Sequence, residues 1–287
     1  NKKKLNFLFK KYKLDLIPIV DENNRIKDII SWSSFYKQTQ SKAKKINKFK
    51  DKVDVIIMAG GRGTRLKPFT DILPKPLMPI HKESILEILI KQLSFFGFKH
   101  ITLAVNNRAD LFKALFSNQK KYGVKIDFSL EKKELDTIGP LKIIKNLPQN
   151  FLVINGDILT DLNFKNFCNF HNKTDSLLTL CSHPLVSKID YGVIETDREN
   201  RLLKFKEKPQ KKIEISMGIY MLNKKILKFI PTNKKFGFNT LIENMIAKNQ
   251  TINVFKTKKL WFDIGKAKDL SEATEYFLKY KKKFIKK

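Results

Sequence analysis

Three glycines and two cations are where chemistry in this chain would begin. Gly60, Gly61 and Gly63, interspersed with Arg62 and followed by Thr64, form a loop directly after the apolar run Val53–Met58. A β-branched segment running into a glycine turn brings bare backbone N–H groups up to phosphate oxygens. Arg65 lies two residues past the last glycine, and Lys75 sits between two prolines. Two fixed positive charges suit a polyphosphate better than a lone carboxylate. The loop lacks the Gly-Lys-Ser/Thr ending of a Walker A sequence. Thr64-Arg65-Leu66 also stands where a dinucleotide fingerprint would need its third glycine.

Carboxylates follow at two further strand ends. Asn155-Gly156-Asp157 closes the apolar run FLVIN, and Asp263 closes LWF ahead of Ile-Gly. The crevice beyond the carboxyl ends of parallel strands is where α/β sheets bind ligands. Two carboxylates there suit Mg²⁺, which completes its shell with substrate phosphate oxygens. Tyr191-Gly192 and Glu207-Lys208 form a last group. The Lys208 ammonium could clamp a monophosphate, and Glu207 could accept from sugar hydroxyls. Taken singly, an Asn-Gly turn, a capping aspartate or a solvated lysine explains each of these residues.

The elements that must position these residues can be read from periodicity. Strands are expected at Val53–Met58, His100–Val105, Val124–Leu130 and Phe151–Asn155, and helices at Ile85–Phe96, Asp110–Phe116 and Pro140–Asn146. Continuous apolar strands between amphipathic helices predict a mainly parallel sheet covered on both faces. Beyond Ser182 the pattern predicts short strands in YGVIETD, RLLKFKEKP and ISMGIYML. Helices Lys224–Ile230 and Asn239–Lys248, strand Thr251–Phe255 and a closing helix Asp269–Lys283 follow. Residues 14–33 read as strand, turn, strand, and 37–50 as a basic linker. The chain opens on Asn rather than Met, and so reads as a piece of a longer one.

Composition narrows the classes. Of 287 residues, 42% are hydrophobic and 30% charged, ordinary for a globular protein, but 58 Lys+Arg against 28 Asp+Glu leave a net +30. The lysines are dispersed from end to end without aromatic interleaving. That matches a compositional bias rather than a nucleic-acid groove, so no nucleic-acid partner is expected. Cys168 and Cys181 lack partners at metal-ligand spacing and read as free thiols of a reducing, cytoplasmic compartment. The four histidines, His81, His100, His171 and His183, are scattered and read as surface or packing residues. No apolar run reaches the roughly 18 residues needed for a membrane span.

In order and content, MAGGRGTRLKPFTDILPKPLMPI, LEKKELDTIGPL, FLVINGDIL, YGVIETD, FKEKP, SMGIYML and WFDIGK resemble the sugar-phosphate nucleotidyltransferases. The likeness is greatest to the mannose-1-phosphate guanylyltransferase branch. The resemblance implies a Rossmann-like, mainly parallel α/β sheet of the nucleotide-diphospho-sugar transferase fold, with an inserted sugar-binding β layer, over 51–287. It implies that an NTP and a sugar-1-phosphate give an NDP-sugar and pyrophosphate with Mg²⁺; self-association stays open. By the same resemblance Gly60, Gly61, Arg62, Gly63 and Thr64 cradle the triphosphate, and Arg65 and Lys75 neutralise its charge. Asp157 and Asp263 hold the metal, Lys208 the sugar phosphate, and Tyr191, Gly192, Glu207 and Gly218 shape the sugar pocket. Thr137 and Gly139 belong to the base-binding turn, usually Leu-Gly-Thr-Ala-Gly. Here that turn is Leu135-Asp136-Thr137-Ile138-Gly139, and Asp136 puts close backbone approach in question.

Glu131 precedes that turn, where uridine- or thymidine-using members tend to carry Gln. A carboxylate accepts from both guanine N1–H and the N2 amine, so GTP is the expected nucleotide. UTP, dTTP or CTP on the same fold, or an inactive nucleotide-sensing regulator, are the alternatives. Residues 1–36 resemble the closing part of a CBS domain through Pro18, Val20 and Asp21, although Asn24 stands where glycine is usual.

Overall fold

A computed structural model of the chain describes residues 2–12, 14–31, 53–106 and 108–285. The chain divides into two compact units, Asn1–Lys48 and Phe49–Lys287. In the first, helix α1 (Lys2–Tyr12) precedes an antiparallel pair, β1 (Leu16–Val20) and β2 (Ile26–Ser31). Asp21 builds the turn between them: its Oδ1 accepts from the N–H groups of Asn23 and Arg25, both at 2.9 Å. Asn24 takes a left-handed φ of 59°, a conformation that asparagine tolerates better than most residues. The expected strand–turn–strand therefore forms without the glycine. The expected linker, 37–50, lies outside the described residues.

The second unit begins with β3 (Asp54–Met58), the single-turn helix α2 (Phe69–Ile72) and a short pair, β4 (Pro79–Ile80) and β5 (Glu83–Ser84). Helix α3 (Ile85–Phe96), β6 (His100–Val105), α4 (Ala109–Leu115), β7 (Lys125–Leu130) and β8 (Asn150–Asn155) continue the alternation. Next come β9 (Ile158–Thr160), α5 (Phe164–His171), β10 (Leu178–Lys188), β11 (Val193–Thr196), β12 (Leu202–Lys206) and β13 (Gln210–Asn223). Helix α6 (Phe238–Ala247), β14 (Ile252–Lys256), β15 (Trp261–Asp263) and α7 (Ala267–Phe284) complete the unit.

Seven strands form one sheet in the order β14-β10-β13-β8-β3-β6-β7. Every neighbouring pair is parallel except the two that β13 makes. Successive side chains of β3 point to opposite faces, and both faces are covered. Val55 and Ile57 pack with Leu86, Leu89, Leu93 and Phe96 of α3, whereas Ile56 packs with Tyr220, Phe238, Leu241 and Met245. That two-sided burial is why the strand reads as an unbroken apolar run. Helix α7 closes a third cluster through Ala273, Phe277 and Phe284 against Leu66, Ile80 and Ile264.

Local signals set the bounds of α3. Ser84 Oγ accepts from Glu87 N (3.2 Å) while Glu87 Oε2 accepts from Ser84 N (2.9 Å), and Gly97 ends the helix at φ 96°. This reciprocal cap satisfies amides that otherwise lack partners.

Three expectations are corrected, the first being Lys224–Ile230, which forms only a 3-10 helix, Lys224–Phe229. Pro140–Asn146 is not a helix: only a 3-10 turn, Gly139–Lys142, forms, and Asn146 turns left-handed at φ 58°. The segment instead drives Ile138, Leu141 and Leu147 into the second core. ISMGIYML is not a short strand but the end of the 14-residue β13. It pairs with β10 from Leu178↔Leu222 to Lys188↔Gln210, so long-range pairing overrides the polar, strand-poor composition of Gln210–Glu214.

Cys168 and Cys181 are both buried free thiols; burial pushes the Cys181 pKa up to about 12. His171 is buried against Thr179 Oγ1 at 2.8 Å. His100 bridges three strands: Nδ1 meets Asp54 Oδ2 at 2.8 Å and Nε2 meets Asp127 Oδ2 at 2.7 Å. Burial disfavours its charged ring, but the two carboxylates outweigh that and raise its pKa above the ordinary 6.5. A raised folded-state pKa adds stability that is complete below the unfolded value and is lost as pH climbs through the folded one. His100→Gln should therefore lower Tm most below about pH 6, with the deficit narrowing towards about pH 9. Thermal melts across that range check this, and a flat deficit would contradict the charge role.

Candidate active site

The strand order sets the place. From β3 the chain crosses to β6 and β7 on one side, then returns to β8 on the other. The carboxyl ends of β3 and β8 therefore flank a topological switch point, where open α/β sheets form their ligand crevice. Met58 and Asn155 are register partners at those ends. Gly156 N donates to Met58 O at 2.9 Å, which fixes Asp157 one residue beyond. The glycine loop leaves β3 at the same edge.

Gly63 is held at φ 62°, a left-handed conformation open to glycine and costly for most residues. Added bulk there would also strike Lys75 Cβ and Thr70 Cγ2, each 3.0 Å from the position a Cβ would take. The loop thus packs directly on Lys75 Cβ. Glu131 approaches from the end of β7: its Oε1 is 2.8 Å from the Cβ position of Gly60, so a side chain there would push the carboxylate aside. Its Oε2 accepts from Leu135 N at 3.1 Å. Burial raises the Glu131 pKa, with Glu134 adding to the shift and the Leu135 bond opposing it.

A cavity of about 330 Å³ is lined by the loop (Gly60, Gly61, Gly63, Thr64, Arg65), by Lys75 and Asp157, and by Glu131, Glu134, Asp136 and Thr137. Its lining mixes both signs. Loop amides and the cations Arg65 and Lys75 share it with the carboxylates of Asp157, Glu131, Glu134 and Asp136, a set that suits a ligand carrying both phosphates and hydrogen-bond donors. Arg62 does not line it but reaches Glu134 (3.6 Å), which Lys235 also holds at 2.8 Å. Gly139 lies behind the wall, buried, with its N–H donated to Phe236 O at 3.0 Å.

Asp136 sits at φ 65°, the left-handed region that glycine would occupy. Its Oδ1 accepts from Thr137 N at 2.6 Å. The turn keeps a glycine-like conformation despite the substitution. Thr137 Oγ1 accepts from Phe238 N at 3.0 Å and so caps α6. A second cavity of about 350 Å³ shares Asp136, Thr137 and Asn155 with the first and is closed by Tyr220, Phe238, Asn239 and Thr240. Neither α6 nor Tyr220 was expected at the site. Nothing local marks them, because their place depends on the long crossing from β13 to β14.

Lys75 stands on a 3-10 turn (Lys75–Leu77) behind Pro74, with its side chain only 10% exposed. Its Nζ donates to Asp157 Oδ2 and lies 3.4 Å from Asp263 Oδ1. Asp263 arrives through β15, which pairs with β9 so that Asp263 faces Ile158. Trp261 Nε1 anchors that strand to Met217 O at 2.9 Å. Arg65 comes up beside Gly265. Asp157 Oδ1 is buried without a hydrogen-bond partner. A bare carboxylate oxygen beside a second carboxylate fits a hard divalent cation that takes its remaining ligands from phosphate and water. Among the described residues no group of three or more His, Cys, Asp or Glu gathers as a metal site.

The remaining predicted residues lie on another element. Tyr191 and Gly192 lead into β11, and Glu207 and Lys208 leave β12, its antiparallel partner. Glu207 Oε2 is 3.2 Å from the Cβ position of Gly192, so the hairpin joins these two. Tyr191 is 79% exposed, Lys208 takes φ 42°, and none of the four lines the first cavity. Gly218 is buried at the β10–β13 irregularity, at φ 69°, with Asn155 Nδ2 in the space a side chain would need.

The nucleotidyl transferase family profile matches residues 54–280. Mannose-1-phosphate guanyltransferases of Candida albicans and Saccharomyces cerevisiae are 34% and 32% identical to the chain over 78% of its length. The chain spans 64% of the length of these curated relatives. Crystal structures of HddC from Yersinia pseudotuberculosis, one of them complexed with GMP-PN, align at TM-scores of 0.62 and 0.60 with 30% identity. They cover 78% of this chain and 99% of theirs. With its glycine loop and aspartate pair at the switch point of a mostly parallel sheet, the chain belongs to the nucleotidyl transferase family.

Proposed function

We propose that this chain transfers a nucleoside monophosphate from an NTP to a sugar-1-phosphate, releasing pyrophosphate and forming an NDP-sugar. The observation that carries the reading is the cavity that joins the glycine loop, Arg65 and Lys75 to the carboxylate pair Asp157 and Asp263. GTP is the favoured nucleotide. Glu131 presents a carboxylate to the donor edge of guanine, and the relatives are named guanyltransferases. Mannose-1-phosphate, named in those relatives, is the first sugar phosphate to test.

In this mechanism an oxygen of the sugar phosphate attacks the α-phosphorus in line, and the bond to the β-phosphate oxygen breaks as pyrophosphate leaves. The attacking oxygen is already anionic, so no protein base is required. Catalysis is then positioning and charge neutralisation. Loop amides from Gly60 to Gly63 and the Thr64 hydroxyl orient the triphosphate, while Arg65 and Lys75 offset its charge. Asp157 and Asp263 would hold Mg²⁺, which supplies further neutralisation at the phosphates when bound. Lys208 takes the sugar phosphate, and Glu207 with Tyr191, Gly192 and Gly218 frames the sugar. Thr137 and Gly139 hold the base-side turn. A cytoplasmic setting belongs to this reading, supported by the buried free thiols. No helix among the described residues is long and apolar enough to cross a membrane. The first unit carries the closing part of a CBS domain in this proposal, supported by the Asp21 turn.

Pyrophosphate release from a matrix of four NTPs and several sugar-1-phosphates with Mg²⁺ tests the reaction; no turnover in any combination would refute it. Asp157→Asn should cut kcat at least about 100-fold, the scale of losing several kcal/mol of charge stabilisation, with an unchanged circular dichroism spectrum. Glu131→Gln should shift the GTP/UTP ratio of kcat/KM towards UTP by about tenfold or more, as expected when a polar edge contact is lost. Lys208→Ala should raise KM for the sugar phosphate and leave KM for the NTP near its wild-type value.

A further inference from the structure

Lys75 faces two sets of partners that it cannot satisfy at once. Its Nζ lies between Asp157 and Asp263, the position from which these carboxylates would hold a cation. The same side chain lines the cavity beside Gly63, Thr64 and Arg65. Its backbone is pinned, with Pro74 and Pro76 on either side and Gly63 against its Cβ. Only the side-chain torsions are free to carry the ammonium from one set to the other.

We propose that Lys75 is a built-in counter-ion that competes with the divalent cation for Asp157 and Asp263, so that cation binding releases its ammonium to the triphosphate. The inference rests on the metal reading above. Its basis is charge: the two carboxylates with one ammonium sum to −1, and adding a divalent cation with the ammonium in place would give +1. An excess positive charge in a partly desolvated site is unfavourable until an anion balances it. The triphosphate supplies that anion. Cation and nucleotide therefore bind cooperatively, each weak alone, and the coupling is reciprocal. Lys75 acts as a charge gate before it acts as a phosphate ligand.

The test is Mn²⁺ binding without nucleotide, followed by electron paramagnetic resonance. Lys75→Met should bind Mn²⁺ about tenfold or more tighter than wild type, a change that titration resolves easily, and should lose the nucleotide-induced gain in Mn²⁺ affinity. Lys75→Arg, which keeps the positive charge, should remain weak. In EDTA, Lys75→Met should melt below wild type, and saturating Mn²⁺ should close the gap. Equal or weaker Mn²⁺ affinity in folded Lys75→Met would overturn the proposal. If that variant does not fold, amine labelling of the wild type decides: Mn²⁺ should speed acylation of Lys75, and an unchanged rate would overturn the idea. Asp157→Asn separates the readings. If it leaves Mn²⁺ binding intact, the metal assignment fails; if it abolishes binding while Lys75→Met shows no gain, only the competition fails.

Discussion

The ion triad of Lys75, Asp157 and Asp263 is the constraint on which the arrangement of the site depends. An ammonium with its side chain 10% exposed is tolerable only with partners, because burial penalises the charged form. Those partners come from separate parts of the chain, Asp157 just past the end of β8 and Asp263 on β15. Their meeting requires that β15 pair with β9 and that Trp261 anchor to β13. It also requires that Gly63 yield its side-chain volume to Lys75. Loop, sheet end and outer strand are thus tied to one cluster of three charges, with one carboxylate oxygen left bare.

A second tie runs through the turn at Leu135–Gly139. Thr137 caps α6, so the segment after β7 and the helix before β14 hold each other in place. Asp136 adopts the left-handed turn that glycine would otherwise supply, and it contributes a carboxylate to the cavity lining. Arg62 pairs with Glu134 beside that turn. The cavity is therefore lined by loop amides and cations interleaved with carboxylates.

The sheet explains why both ends face the same crevice. Strands β3 and β8 are parallel neighbours, and the connections leave them in opposite directions, so their carboxyl ends open onto one space. Strand β13 runs the other way, and its irregularity opposite β10 buries Gly218 against Asn155 next to the same space. Beyond that point β10 and β13 leave the core and carry the exposed hairpin β11–β12, with Glu207 beside Gly192. A bulge that re-aims a strand at a sheet margin is a common device beside active sites.

Local physics made much of this legible in the sequence. Ser84, Glu87 and Gly97 set the bounds of α3, β-branched runs marked β3, β6 and β8, and the glycine loop declared a phosphate cradle. Motif order pointed to nucleotidyl transfer before any coordinate. What stayed hidden depends on contacts distant in the chain. The full length of β13 comes from its pairing with β10, and the failed helix after Pro140 from the pull of the second core on Ile138, Leu141 and Leu147. The closure of the base side by α6 and Tyr220, and the grip of Lys75 on two aspartates, likewise follow from the crossing of the chain. Sequence alone determined which groups could do chemistry, because residue type and local spacing fix charge and turn geometry. Only the tertiary structure decided which of them face one another, because that depends on strand order and on which buried charges find partners.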